Sequence, residues 1–263
     1  MSYHFISVTT DNHITRITLN RPEVMNAINP EMHEELQQAL DAFAADNDQY
    51  IGVLTGRGDR AFCAGSDLKA IAADKSRDIR KYPKNGYAGL IERFDLDKPL
   101  IAAVNGVCMG GGFEVALACD IIIASDNARF SLPEPLVGAV ALGGGLHRLA
   151  RQVGLKKAMG MILTSRAVSA EEGERLGFVN EVVAADQLDA ALERWCADIL
   201  RAAPLSVRAS KATVMQSLDE ASLREAIENQ NRYPAYQRWE QSEDRIEGPR
   251  AFAEKRKPDW KGR

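Results

Sequence analysis

Two glutamates and two glycine-marked turns are the parts of this sequence best suited to chemistry. Glu114 stands in the first turn of a helix-like stretch, FEVALACD, directly after three consecutive glycines at positions 110–112, and Glu134 follows twenty positions later in FSLPEP. Two carboxyl groups brought to one pocket can divide acid and base work, one holding a proton while the other takes one. A helix start leaves backbone N–H groups without internal acceptors, and glycines there let another molecule reach them. The natural guest is an anion or an oxygen gaining negative charge. Neither GxxxxGK[ST] nor GxGxxG occurs at residues 110–114 or at the second glycine run, 143–145, which leaves a developing oxyanion such as that on a thioester carbonyl.

A second turn strengthens that reading. RAFCAGSDLKA, residues 60–70, carries a strand-like segment into Gly65-Ser66-Asp67, followed by Leu68 and Lys69 at another helix start. Two backbone donors converging on one oxygen form an oxyanion hole, worth several kcal/mol to a transition state. Taken one at a time, each feature has a plain structural alternative. The glycines also suit close packing of helix on sheet, Glu114 a helix dipole, and Glu134 a solvated loop.

These turns need strands and helices to hold them. HITRITLN alternates in an imperfect period of two, and YIGVLTG is a short apolar run closed by glycine, so both read as strands. Between them Met32, Leu36, Leu40 and Phe43 recur at helical spacing, with Asn29 as cap and Pro30 at the first helical position. PLIAAVNG and DIIIAS read as buried strands flanking a short helix over 113–119. The alternation predicts an α/β fold with active backbone at strand-to-helix turns. Strand signals end near Asp186, and the last quarter reads as amphipathic helices. The polar stretch 72–95, broken by Tyr82-Pro83 and Asn85-Gly86, is expected at the surface, as a mobile connection or a lid.

Composition narrows the function classes. The 263 residues are 45% hydrophobic and 27% charged, as in a globular protein, and the net charge of -4 offers no general attraction to nucleic acid or anionic membrane. No signal peptide or membrane-crossing run is present, so a cytoplasmic location is expected. Cys63, Cys108, Cys119 and Cys196 lack CxxC spacing and read as buried reduced thiols. His4, His13, His33 and His147 are scattered, there is no HExxH or GxSxG, and no metal site is expected; only His147 lies near the proposed pocket.

In combination, AFCAGSDL, KPLIAAVNGVCMGGGFEVALACDIIIAS, ARFSLPE, LTSRAVSAEEGERLGFVNEVV and EGPRAFAEKRKPDW resemble the crotonase, or enoyl-CoA hydratase/isomerase, superfamily from about Ile6 onward. The resemblance implies a spiral of ββα repeats over residues 1–195 and a C-terminal helical region, 196–263, that builds a homo-oligomer, either a trimer or a dimer of trimers. It implies an acyl-CoA thioester substrate whose oxygen is held by the amides of Ser66 and Gly111, with Gly111 bare so that the thioester can lie against its amide. Ala64, Ser66, Asp67, Leu68, Lys69 and Gly111 would line the substrate, Lys69 with a CoA phosphate in reach, and Phe252 and Lys255 would lie near the CoA of an adjoining subunit. Glu114 and Glu134 match the two acids of the family's hydratases, which favours reversible addition of water to a 2-enoyl-CoA with no cofactor beyond the CoA of the substrate. With both acids present, the dipole at the start of its helix is expected to keep Glu114 ionised and leave Glu134 as the one that stays protonated longer. Ala141 stands where relatives often carry a proline, in a turn expected to abut the second glutamate. FDLDKPLIAAVNG and EDRIEGPRAFAEKRKPDWKGR are similar to carnitinyl-CoA dehydratases, which makes that activity an alternative. Double-bond isomerisation, thioester hydrolysis and a non-catalytic, RNA-binding relative are the remaining ones.

Overall fold

A computed structural model describes residues 3–73 and 82–263. The chain opens with a hairpin, β1 (Ile6–Asp11) and β2 (Ile14–Leu19), paired antiparallel through a two-residue turn in which Asn12 and His13 both take positive φ. Helix α1 (Pro30–Ala45) follows. Asn29 accepts the Met32 N–H at 3.0 Å, Pro30 takes the first helical position, and Met32, Leu36, Leu40 and Phe43 are buried in one stripe.

A strand pair then repeats three times. β3 (Ile51–Gly56) leads to β4 (Ala61–Cys63) and helix α2 (Leu68–Ala73). β5 (Leu100–Val104) leads to β6 (Val107–Met109) and helix α3 (Gly111–Ala118). β7 (Ile121–Ser125) leads to β8 (Arg129–Ser131), which runs on through a helical turn at Glu134–Val137 to helix α4 (Gly145–Val153). In every pair the first strand joins a six-stranded sheet and the second a four-stranded one, because the tight Gly56–Arg60 and Asn105-Gly106 corners turn the chain out of the first sheet. Helices α5 (Leu155–Thr164) and α6 (Ala170–Leu176) complete the spiral, with β9 (Val168–Ser169) antiparallel to β8 and β10 (Glu181–Val183) parallel to β7. The sheet orders are β1-β2-β3-β5-β7-β10 and β4-β6-β8-β9, an α/β fold with parallel pairing through β2-β3-β5-β7-β10 and β4-β6-β8.

Between the sheets lies the main core, where Phe113, Phe130 and Phe178 meet with ring centroids 5.1 to 5.3 Å apart. Helix α7 (Leu188–Leu200) covers the other face of the large sheet, setting Leu188, Ala191, Leu192 and Cys196 on Ile51, Val53, Ile101 and Ile123. This helix runs unbroken across the boundary expected at 195/196. Cys196 therefore packs with the spiral, and the helical region proper consists of α8 (Pro204–Ser217), α9 (Leu223–Asn229), α10 (Pro234–Glu240) and α11 (Glu243–Ala253). It is tied to the segment before β5 by Asp97, which pairs with Arg208 at 2.8 Å and with Arg238, and to the start of β7 by Lys211, which pairs with Asp120 at 2.7 Å. All four cysteines are free and buried.

The polar stretch expected at the surface is divided. Residues 74–81, the first part of the proposed lid, lie outside the described residues. From Tyr87 to Ile91 the chain is buried against α1, contrary to the surface expectation. Charged neighbours mask its few apolar side chains in the text, whereas Gln37 of α1 grips its backbone, accepting the Asn85 N–H at 3.0 Å and donating to the Asn85 side chain at 2.8 Å.

Candidate active site

Strands β4, β6 and β8 are neighbours and parallel, so the turns that leave their C-terminal ends emerge side by side. Such ends are where open α/β sheets present their ligand sites. The first turn carries Gly65 and Ser66, the second residues 110–112, and the third Glu134. In the first, the Ile28 N–H donates to the Gly65 carbonyl at 2.8 Å and the Asp67 N–H to the Ile28 carbonyl at 2.9 Å. This parallel bridge uses the groups on either side of Ser66 and turns the Ser66 N–H away, where it meets no acceptor among the described residues. Gly111 opens α3, and its N–H is likewise without an acceptor among the described residues. The two turns touch: a Cβ on Gly65 would sit 3.0 Å from the Gly111 nitrogen.

Each of the three glycines is bare for its own reason. Gly110 has φ of 54°, and a Cβ there would lie 2.9 Å from the Glu134 carboxyl. A Cβ on Gly112 would strike the Cys63 carbonyl. At Gly111 the space belongs to Tyr87, whose hydroxyl and ring edge occupy the position of a side chain. The Cβ face of Gly111 is thus filled from within the chain, while its N–H edge, where the thioester is expected, remains open.

Glu114 is 3% exposed and Glu134 half-buried. The Glu114 side chain leaves α3 for the second glycine run, where its Oε1 accepts the Gly145 N–H at 2.9 Å and Gly143 supplies a second backbone donor. A Cβ on Gly143 would overlap Oε2, and one on Gly145 would lie 2.8 Å from Cγ, so this run is a cradle for the first glutamate. The turn that follows Glu134 thus connects the acids: Glu134 accepts the Ala139 N–H through its backbone carbonyl at 2.9 Å, and the glycine run that begins at Gly143 holds Glu114. Burial is the largest influence on Glu114 and pushes its carboxyl up to about 7, with the nearby charge of Glu134 acting in the same direction against the two N–H donors and Arg148. Burial also raises Glu134, and its Oε2 accepts no hydrogen bond among the described residues. The expected division, with Glu134 staying protonated longer because the helix dipole favours ionised Glu114, is not what the geometry gives. The Glu114 carboxyl has left the helix start for an enclosed site, and desolvation outweighs the dipole.

The remaining expected residues differ in their surroundings. Ala64 donates its N–H to the Met25 carbonyl at 3.0 Å, while Asp67 caps α2 through Lys69 and Ala70 N–H groups and pairs with Arg21 at 2.9 Å. Those contacts occupy the Asp67 carboxylate within the chain. Leu68 and Lys69 are exposed on the first turn of α2. Phe252 and Lys255 are exposed at the end of α11, away from these turns in sequence, and His147 is exposed on α4. Ala141, at the position of the often-found proline, is buried.

Four residues near the acids escaped the sequence reading. Tyr87, Tyr82 and His33 pack edge to face, with centroids 4.6 to 5.4 Å apart, and the charge of Glu114 reaches both tyrosines. Arg148 donates to the Ile91 carbonyl at 2.6 Å while its guanidinium folds back over Gly144, placing a positive charge behind Glu114. Only a buried-aromatic reading of NGYAGLI would have drawn attention to this corner.

Among the described residues there is no cluster of three or more His, Cys, Asp or Glu side chains able to hold a metal ion, and no helix is long and apolar enough to cross a membrane. Residues 9–263 match the family model for enoyl-CoA hydratase/isomerase. The chain is 41% identical over 260 residues to the carnitinyl-CoA dehydratase of Proteus mirabilis, covering 98% of both, and 40% identical over 264 residues to that of Salmonella typhi, again covering 98% of both. Among solved structures, the enoyl-CoA hydratase of Mycobacterium tuberculosis H37Rv superposes with a TM-score of 0.90 at 35% identity, over 98% of this chain and 99% of that one. The enoyl-CoA hydratase of Bacillus anthracis superposes with a TM-score of 0.91 at 32% identity, over 99% and 100%.

Proposed function

The chain belongs to the enoyl-CoA hydratase/isomerase family, and from that premise we propose that it adds water reversibly across the 2,3 double bond of a 2-enoyl-CoA thioester, with Glu114 and Glu134 as its acid and base. One observation carries the proposal: buried Glu114 and half-buried Glu134 come from the turns that leave β6 and β8, next to the turn after β4, two backbone N–H groups on these turns have no acceptor, and Glu134 Oε2 has no hydrogen bond among the described residues.

The thioester oxygen sits between the Ser66 and Gly111 amides. The reacting form carries its proton on Glu134 and leaves Glu114 ionised, a minority arrangement because burial favours the proton on Glu114; water oriented by that carboxylate adds its oxygen to the β carbon and gives it a proton. Electrons move from the double bond toward the carbonyl, and the two amides stabilise the enolate charge as it develops. Protonated Glu134 donates to the α carbon, giving the 3-hydroxyacyl thioester, and a proton passed from Glu114 to Glu134 restores the starting state. Dehydration is the reverse sequence. Enclosure strengthens each of these interactions, since the charges are formed away from bulk water. Ala64, Leu68 and Lys69 would border the CoA portion along the first turn of α2, and Phe252 and Lys255 would face the CoA of a neighbouring copy.

A narrower reading follows the relatives named carnitinyl-CoA dehydratase, whose acyl group carries a quaternary ammonium. The half-exposed ring of Tyr82, close to the Glu114 charge, suits such a cation through its π face. A panel of enoyl-CoA thioesters that includes crotonobetainyl-CoA, followed by loss of the conjugated thioester absorbance, separates these cases. Hydration of none of them, with the alkene merely moved or free CoA released, would overturn the proposed reaction, and salt-dependent RNA retention without turnover would favour the non-catalytic alternative. Self-association is proposed on the exposed Val214, Met215, Leu218, Leu223, Ile227 and Ile246 of the helical region. Light scattering should give three or six times the 28.9 kDa chain mass; a monomer at micromolar concentration would contradict it.

A further inference from the structure

Tyr87 touches both proposed donor turns. It is 2% exposed, its hydroxyl lies 3.2 Å from the Ser66 hydroxyl, and the same oxygen fills the side-chain position of Gly111. Two hydroxyls at that distance form a hydrogen bond, and a ring pressed on a glycine Cα stops that residue from moving inward. We propose that Tyr87 is a positioning residue that sets the spacing of the Ser66 and Gly111 amides, held in place from below by His33; this rests on the oxyanion-hole reading above.

The anchoring is unusually specific. Ala88 adopts φ of 56° and ψ of 17°, a left-handed conformation that a non-glycine residue takes at a cost of about 1 kcal/mol or more. Its N–H donates to His33 Nδ1 at 2.9 Å, and the His33 ring meets the Tyr87 ring edge to face at 4.6 Å. Burial lowers His33 to about 4, so at neutral pH the imidazole is uncharged and Nδ1 is free to accept. The next residue, Gly89, is pressed on the Gln37 backbone, where a Cβ would lie 2.5 Å from its Cα. Helix α1 therefore holds the backbone on both sides of Tyr87 and aims its hydroxyl at the donor turns. Strain kept at one residue by several independent contacts is the mark of a conformation that the surrounding structure enforces. An oxyanion hole gains most when its donors do not have to reorganise as charge develops, so a buttress on both donors acts on the transition state more than on ground-state binding.

The test compares wild type with Tyr87→Phe, Ser66→Ala and the double variant. Phe keeps the ring, and Ala at 66 keeps the backbone amide, so each removes the hydroxyl pair from one end; matched thermal melts establish that all are folded. Turnover of the best enoyl-CoA is measured together with the red shift of a bound cinnamoyl-CoA, which reports the pull on its thioester carbonyl and needs no hydration. The expected result is a roughly tenfold fall in kcat with KM within about twofold for either single variant, a smaller red shift, and a double variant no worse than the poorer single one. A Tyr87→Phe enzyme with wild-type kcat and red shift, or losses that multiply in the double variant, would overturn the inference. If wild type shifts the chromophore but hydrates nothing, the hydration reading fails while the spectral comparison still decides the role of Tyr87.

Discussion

Burial of Glu114 makes a stability prediction that is independent of any substrate. Its carboxyl, ordinarily near 4.5, is pushed up to about 7 in the folded chain, chiefly by removal from water. Below about pH 4.5 the group is protonated in folded and unfolded chains alike and contributes no difference. Between about 4.5 and 7 the unfolded chain ionises it and the folded chain does not, so stability falls as pH rises; above about 7 the loss is complete. At about 1.4 kcal/mol for each pH unit between the two values, the span is roughly 3 kcal/mol. Glu114→Gln removes the titration. Its amide can satisfy one of the Gly143 and Gly145 N–H donors but sets an NH2 against the other, a pH-independent cost of about 1 to 3 kcal/mol. The diagnostic quantity is therefore how the difference between variant and wild type changes with pH, not its value at one pH. Urea denaturation at fixed protein concentration, from pH 4 to 8.5, should show the variant gaining roughly 3 kcal/mol on wild type as pH rises. His33 titrates identically in both proteins and cancels. In a Glu134→Gln background the gain should shrink, since the neighbouring charge is gone. A difference that stays flat, or that favours wild type at high pH, would refute the claim that this acid is buried against its charge.

The same geometry makes further predictions. Gly143→Ala puts a methyl where Glu114 Oε2 sits; because that oxygen ends a flexible side chain, stability should change by less than about 1 kcal/mol while hydration falls roughly 100-fold, and near-normal kcat would show that the cradle does not aim the acid. With one proton shared by the two acids in the reacting form, kcat should fall as pH climbs through about 7 and both become ionised, and this limb should vanish in Glu114→Gln; a wild-type rate still flat from pH 6 to 9 would contradict the assignment. Replacing Asn29 by Ala removes the side-chain cap of α1 and should cost about 1 kcal/mol in denaturant titrations without altering KM; an unchanged midpoint would place the stability of that helix start elsewhere.

Long elements were legible in the text and short ones were not. A helix such as α1 repeats its apolar spacing over sixteen residues, its cap immediately precedes it and its proline opens it, so the pattern identifies it without a neighbour. Strands β4, β6 and β8 have three residues each, too few to show a period, yet they form the sheet from whose ends the proposed site emerges. Nothing in AFC, VCM or RFS announces that these segments lie side by side. The buried run from Tyr87 to Ile91 was hidden for a related reason: the charged residues on either side of it give the window a polar average, while burial is decided by what α1 offers to each side chain separately.

The site divides along the same line. The sequence by itself determined the residue types: glycines at two helix starts, acids at 114 and 134, and motifs whose combination identified the family. These depend on local chemistry and on order along the chain, which the text records directly. Tertiary structure alone decided that the second glycine run cradles Glu114, that this acid rather than Glu134 is driven up to about 7, and that Tyr87 fills the bare face of Gly111. Those outcomes arise from contacts between segments 24 to 31 residues apart, where desolvation and excluded volume depend on distances that no local pattern encodes.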